Sequence, residues 1–133
     1  MSRNIDDLSL EMKDKVLTWI EMMHGASIDF IITCTKRSQE EQLELWKLGR
    51  EWKDGKWITT DRKAQRTWTL NSNHKEGNAF DFVILLHGKP DWNMTRKDLW
   101  DKAVEFGKEL GMAQVIDKKG RVKEYAHLQL KVV

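Results

Sequence analysis

At 133 residues, with 40% apolar and 33% charged residues, the chain has the size and composition of one globular domain with a single core. Seven Trp and four Phe exclude an intrinsically disordered chain, and a net charge of +2 is too small to indicate a polyanionic partner. The only cysteine, Cys34, excludes an intrachain disulfide, and its apolar neighbours predict a buried thiol.

The first third of the chain predicts a helix followed by a strand. Apolar residues recur with helical spacing after Asp6 and Asp7, and Gly25 marks the predicted end of this helix. The run 28–35 (IDFIITCT) is rich in β-branched residues and predicts a buried strand. We find no apolar run of signal-peptide type and none near the roughly 20 residues that span a bilayer. The chain is therefore expected to have no membrane anchor and to be cytoplasmic on synthesis.

A second helix and a long loop are predicted next. Ser38 and Glu41 have the spacing of a capping box, for a helix that ends at Gly49. Residues 50–72 lack sustained periodicity and predict a loop, and loops of that length in small domains usually serve function. Residues 46–68 contain seven basic and three acidic residues, interleaved with four Trp. Such a surface suits anionic ligands or stacked bases and sugars, but the pattern also fits a solvated face whose Trp side chains enter the core.

The remaining elements complete an α+β fold. The strongest predicted strand is 80–86 (FDFVILL). Thr95 with Asp98 predicts the N-terminal cap of a third helix that ends at Gly111. Segments 112–116 and 122–132 flank a polar turn and predict a hairpin. We therefore expect a single domain over residues 1–133, with a small, mainly antiparallel sheet and helices packed against it.

Two polar segments could bring metal ligands together. His74 lies in a predicted loop and Asp81 on the strand that follows, while His127 lies in the last predicted strand with Glu124 at its entry. Two His and one carboxylate form a known zinc set with one open position, and a further carboxylate can accept a proton from water. Spacing alone does not distinguish a metal site from a chance arrangement, because an H-x6-D pattern often arises by chance. An unpaired carboxylate in an apolar strand needs either a cation or hydrogen-bond donors.

A longer pattern around this histidine is more specific. The pattern S-x-H-x-x-G-x-A-x-D is complete here, in Ser72, His74, Gly77, Ala79 and Asp81. It resembles the signature of the D-alanyl-D-alanine carboxypeptidase-like zinc peptidases, which include the VanY and VanX types and phage endolysins that act as L-alanyl-D-glutamate peptidases. Two further family features, an acid three residues before a His and Arg-Ser followed by Gln, are matched by Glu124, His127, Arg37, Ser38 and Gln42. The resemblance spans about residues 28–130, and the tract 68–82 is most similar to the endolysin branch.

The resemblance implies a role for each matching residue. His74, Asp81 and His127 would hold Zn²⁺, and Glu124 would act as the general base. Arg37 would contact the substrate carbonyl or stabilise the oxyanion. The residues implied in substrate binding are Ser72, Gln42 and Gln129. The implied activity is hydrolysis of the stem peptide of bacterial peptidoglycan.

Three functions remain open at this point. The endolysin-like tract favours cleavage of the L-alanyl-D-glutamate bond, by a monomeric phage enzyme that reaches the wall through a separate permeabilising factor. The second is a D-alanyl-D-alanine carboxypeptidase or dipeptidase, because segment 112–123 lacks the Trp-Gly-Gly-rich sequence of many endolysin-type relatives. The third is a non-catalytic module that binds the wall or nucleic acid, although a complete set of ligands and base argues against it. No separate wall-binding domain is expected.

Overall fold

The computed structural model describes residues 2–62, 76–116, 119–122 and 125–131. Its elements in chain order are a 3-10 turn (Ile5–Asp7), α1 (Leu10–Gly25), β1 (Phe30–Cys34), α2 (Gln39–Lys47), β2 (Arg50–Lys53), β3 (Lys56–Thr59), β4 (Ala79–Leu86), β5 (Lys89–Pro90), α3 (Lys97–Glu109), β6 (Met112–Ala113) and β7 (His127–Leu130). The main sheet has the order β1-β4-β7-β6, with β5 paired to β4, and all its pairs are antiparallel. The predicted α+β class is confirmed. Among the helices in these ranges, none has the length and apolar character needed to cross a bilayer.

The hydrophobic core determines which face of β4 turns toward the helices. Trp19 of α1 is fully buried, and its ring lies 4.9–5.1 Å from the rings of Phe30, Phe80 and Phe82. Its indole N–H donates to the backbone carbonyl of Ala103 in α3, at 2.9 Å. Because side chains alternate along a strand, burying Phe80 and Phe82 against α1 directs the residue between them to the opposite face of the sheet. That residue is Asp81, a predicted metal ligand.

Helix α2 begins where its predicted capping box places it, whereas α1 begins only at Leu10, because Ile5–Asp7 form a separate 3-10 turn. Ser9 caps α1 by accepting a hydrogen bond from the backbone N–H of Met12, and Gly25 ends this helix. In α2 the capping box is complete, since the Ser38 hydroxyl accepts from the Glu41 N–H and the Glu41 carboxylate accepts from the Ser38 N–H. Such a box satisfies two backbone donors that the helix itself cannot pair.

The predicted cap of α3 is wrong. Asp98 pairs with the Arg96 guanidinium at 2.9 Å, and Arg96, the N-cap residue, makes no side-chain cap hydrogen bond. Asp91 organises the helix start instead, because its carboxylate accepts hydrogen bonds from Thr95, Arg96 and Trp100. Burial raises the pKa of Asp91, but these hydrogen bonds outweigh it and hold the pKa below its usual value.

The predicted loop over residues 50–72 is wrong in its first part. Strands β2 and β3 form a separate two-stranded sheet, in which Lys53 pairs with Lys56 around a two-residue turn. The turn residues Asp54 and Gly55 have φ angles of 51° and 80°, as a type I′ hairpin requires. The sequence signal for this hairpin is the Asp54-Gly55 dipeptide, which lies between segments that contain Trp and Ile. Residues 63–72 of the predicted loop lie outside the described part of the chain.

Gly77, in the family pattern, is expected to tolerate no side chain. Its φ is +72°, and an added Cβ would lie 2.8 Å from the backbone N of Ser9 and 2.9 Å from the carbonyl O of Asp7. Because backbone atoms cannot move aside cheaply, we expect Gly77→Ala to lower the free energy of unfolding by about 3 kcal/mol. Thermal denaturation would then show a midpoint about 10 °C lower.

Gly88→Ala is the matched control for this prediction. Gly88 has a φ of +79° with no atom within 4 Å of the added Cβ, so it carries the backbone strain without the close approach. Gly88→Ala should lower the free energy of unfolding by only about 1 kcal/mol. Equal losses in the two variants would mean that the contact between Gly77 and the start of α1 is unimportant.

Candidate functional site

Three strands meet at the candidate site. Cys34 at the end of β1 pairs with Asp81 on β4, and Asp81 pairs with His127 at the start of β7. Directly opposed residues of an antiparallel pair project their side chains on the same face. Two predicted ligands that are 46 residues apart in sequence are therefore brought together by strand register.

Each ring nitrogen of His127 has a polar side-chain partner. Its Nδ1 lies 3.0 Å from Oδ1 of Asp81, and its Nε2 lies 2.9 Å from Oε1 of Gln129. Both ring nitrogens thus face an oxygen, yet a neutral imidazole carries only one N–H. Two arrangements satisfy both contacts of a neutral ring. In one, Nδ1–H donates to Asp81 and the Gln129 amide, turned over, donates to Nε2; in the other, a cation lies between Nδ1 and Asp81 while Nε2–H donates to Gln129.

Asp81 and His127 fit a zinc ion. In a tetrahedral site with ligand distances of about 2.0–2.1 Å, neighbouring ligand atoms lie about 3.3 Å apart. The 3.0 Å between Nδ1 of His127 and Oδ1 of Asp81 is close to that separation. The opposite nitrogen, Nε2, would donate to Gln129, which is the outer hydrogen bond that metal-bound histidines usually make. The Asp81 side chain remains 23% exposed, so the pair is open on one side.

Arg37 is held beside the same carboxylate. Its Nη1 donates to Oε1 of the fully buried Gln42 at 2.7 Å, and its Nη2 lies 4.0 Å from Oδ2 of Asp81 and 3.8 Å from Sγ of Cys34. Its side chain is only 11% exposed, so the guanidinium has little freedom to turn away. Gln42, predicted to bind substrate, thus contacts Arg37 and positions it. Cys34 is buried as predicted, but its place next to Arg37 had no sequence signal.

One donor of this guanidinium lacks an acceptor within the part of the chain that the structure describes. Among the described residues, the buried Nε of Arg37 has no hydrogen-bond partner. A buried donor without an acceptor costs about 1–3 kcal/mol. An acceptor from outside the described residues, on the chain or on a ligand, would remove this cost.

The other predicted site residues lie outside the described part of the chain. These are Ser72, His74 and Glu124, and their positions stay predictions. In the described ranges alone, no three His, Cys, Asp or Glu side chains come together as a metal site.

The chain is similar in sequence to one curated bacterial enzyme. This is the peptidoglycan L-alanyl-D-glutamate endopeptidase CwlK of Bacillus subtilis (strain 168), which is 36% identical over 110 residues. The match covers 77% of this chain and 61% of the relative, so the chain spans less than two thirds of the relative's length. No protein-family model matches the chain.

Solved structures share the fold. The L-Ala D-Glu endopeptidase ChiX of Serratia marcescens has a TM-score of 0.64 at 18% identity. The match covers 96% of this chain and 84% of the ChiX chain. The LD-carboxypeptidase LdcB has a TM-score of 0.60 at 20% identity, with coverage of 92% and 65%. DacB from Streptococcus pneumoniae D39 has a TM-score of 0.61 at 21% identity, with coverage of 98% and 70%. The curated relative confirms the resemblance predicted from the motifs, and the solved structures show the same fold.

Proposed function

We propose that this chain, a homologue of the Bacillus subtilis endopeptidase, is a zinc metallopeptidase that hydrolyses the L-alanyl-D-glutamate bond of the peptidoglycan stem peptide. The observation that carries the proposal is the register pairing of Asp81 with His127, beside the fixed guanidinium of Arg37. Sequence identity of 36% to an enzyme named for this bond supports the choice of substrate.

Three side chains would hold the metal in this proposal. They are His74, Asp81 and His127, with Gln129 accepting a hydrogen bond from Nε2 of His127 and so keeping Nδ1 directed at the site. A bound zinc ion would polarise the peptide carbonyl and lower the pKa of a water molecule toward 7.

The remaining residues would bind substrate and move the proton. Glu124 takes a proton from the attacking water and delivers it to the leaving amine, so that the peptide bond is exchanged for a carboxylate and an amine without a covalent intermediate. Arg37, held in place by Gln42, donates to the carbonyl oxygen as negative charge develops there. Ser72 lies in the same motif and would contact the substrate.

A carboxypeptidase is the second candidate. LdcB, which has the same fold, is named as an LD-carboxypeptidase, so this architecture also serves removal of a terminal residue. Sequence similarity to CwlK favours the endopeptidase. That the chain is a monomeric phage endolysin, released by a separate factor, stays a prediction.

Digestion of purified peptidoglycan distinguishes these functions. We expect mass spectrometry to find stem peptides with a new D-glutamate amino terminus, no digestion in the presence of a zinc chelator, and recovery when zinc is added back. If free D-alanine were the sole product, the activity would be that of a carboxypeptidase and not that of an endopeptidase. Digestion that proceeds unchanged in the presence of the chelator would refute the proposed zinc dependence.

A further inference from the structure

The β2–β3 hairpin presents aromatic rings that the proposed hydrolysis does not use. The ring of Trp57 packs edge to face against Trp46 at 5.3 Å and against Trp52 at 5.7 Å. The Arg50 guanidinium lies 4.6 Å from the centre of the Trp46 ring. We call these four residues the tryptophan cluster. Trp52 is 62% exposed although its contact with Trp57 holds it in place, so the cluster presents a fixed aromatic ring to solvent.

Helix α2 connects the tryptophan cluster to the candidate site. Gln42, which holds Arg37, and Trp46 are four residues apart, so they lie on the same face of the helix, about 6 Å apart along its axis. The base of the hairpin is closed by hydrogen bonds from the backbone N–H groups of Thr60 and Asp61 to the carbonyl of Gly49. The tryptophan cluster is therefore fixed in relation to α2. A polymeric ligand that extends beyond the candidate site can contact both the site and the cluster.

The charges around the tryptophan cluster are positive but sparse. The described residues 46–62 carry five basic and three acidic side chains, and the exposed Lys53 and Lys56 project from the face of the hairpin opposite Trp52. A nucleic acid, with a charge on every phosphate, binds most strongly where basic residues are dense. A mainly neutral polymer with scattered carboxylates matches this surface better.

We propose that the tryptophan cluster binds the sugar strand of peptidoglycan next to the stem peptide being cut. The C–H face of a pyranose ring can pack on the electron-rich face of Trp52, on the side of the hairpin that also carries Trp57. The inference rests on the proposed function, because the L-alanine end of a stem peptide is the end attached to the sugar. Cleavage there keeps the strand close to the site.

Binding of two probes tests the proposal. One is insoluble purified peptidoglycan, measured by co-sedimentation, and the other is a β-1,4-linked N-acetylglucosamine tetramer, measured by tryptophan fluorescence. Both are used with a zinc chelator, so that hydrolysis does not contribute. We expect Trp52→Ala to weaken binding of both probes about tenfold, because the change removes the aromatic surface on which the sugar packs. Trp52→Phe should retain most of the affinity.

Trp92→Ala is the matched control, because Trp92 is 61% exposed and lies outside the tryptophan cluster. The proposal fails if Trp52→Ala binds like the wild type, if Trp92→Ala weakens binding equally, or if a single-stranded oligonucleotide displaces peptidoglycan better than the tetramer does. Digestion by the wild type with no effect of Trp52→Ala on binding refutes this inference alone. Trp52-dependent binding without any digestion refutes the proposed function and supports the sugar site.

Discussion

Glu124→Gln is expected to abolish hydrolysis of peptidoglycan while zinc stays bound. Glutamine has nearly the size of glutamate and keeps an oxygen acceptor, but it cannot take the proton from water. Loss of a general base lowers rates by about 10²–10⁴-fold. The rate of clearing of a peptidoglycan suspension should fall by that factor, and metal analysis of the purified protein should find zinc at the wild-type ratio.

Glu109→Gln supplies the control for this variant, because Glu109 is an exposed glutamate at the end of α3 and belongs to none of the site motifs. It should keep both activity and metal. If Glu124→Gln lost its zinc, the residue would be a ligand, and if it kept near-wild-type activity, another group would be the base.

Asp81→Ala is expected to remove zinc and activity together. The change deletes one ligand and leaves Nδ1 of His127 facing a gap, with Arg37 deprived of its nearby carboxylate. Loss of an outer hydrogen-bond partner of a metal ligand already weakens metal binding by about 10–100-fold, so loss of a ligand should exceed about 100-fold. Competition with a chromophoric chelator measures this affinity directly.

Thermal denaturation gives a second measurement that does not depend on activity. A ligand present at 100 times its Kd stabilises a protein by about 2.7 kcal/mol, so zinc should raise the wild-type unfolding midpoint and leave that of Asp81→Ala unchanged. Asp98→Ala, which removes an exposed carboxylate paired with Arg96, should respond to zinc like the wild type. Wild-type zinc affinity in Asp81→Ala would limit Asp81 to a hydrogen-bonding role beside His127.

Local patterns predicted the elements that local interactions stabilise. The capping box of α2 and the apolar strand β4 form where expected, because each depends on residues close together in sequence. The start of α3 was misjudged since Asp91, from outside the predicted cap, competes successfully for the Thr95 and Arg96 donors. The β2–β3 hairpin was missed because its two short strands depend on one Asp-Gly turn and on packing against α2.

The sequence by itself determined which chemical groups are available: two histidines, two acids and an arginine in motifs that resemble those of zinc peptidases. The tertiary structure decided which of the described groups meet. Asp81 faces His127 because Phe80 and Phe82 are buried against Trp19, and because β4 pairs with β7 in one register. A shift by one residue would turn each side chain to the other face, so the pairing depends on packing between segments far apart in the chain.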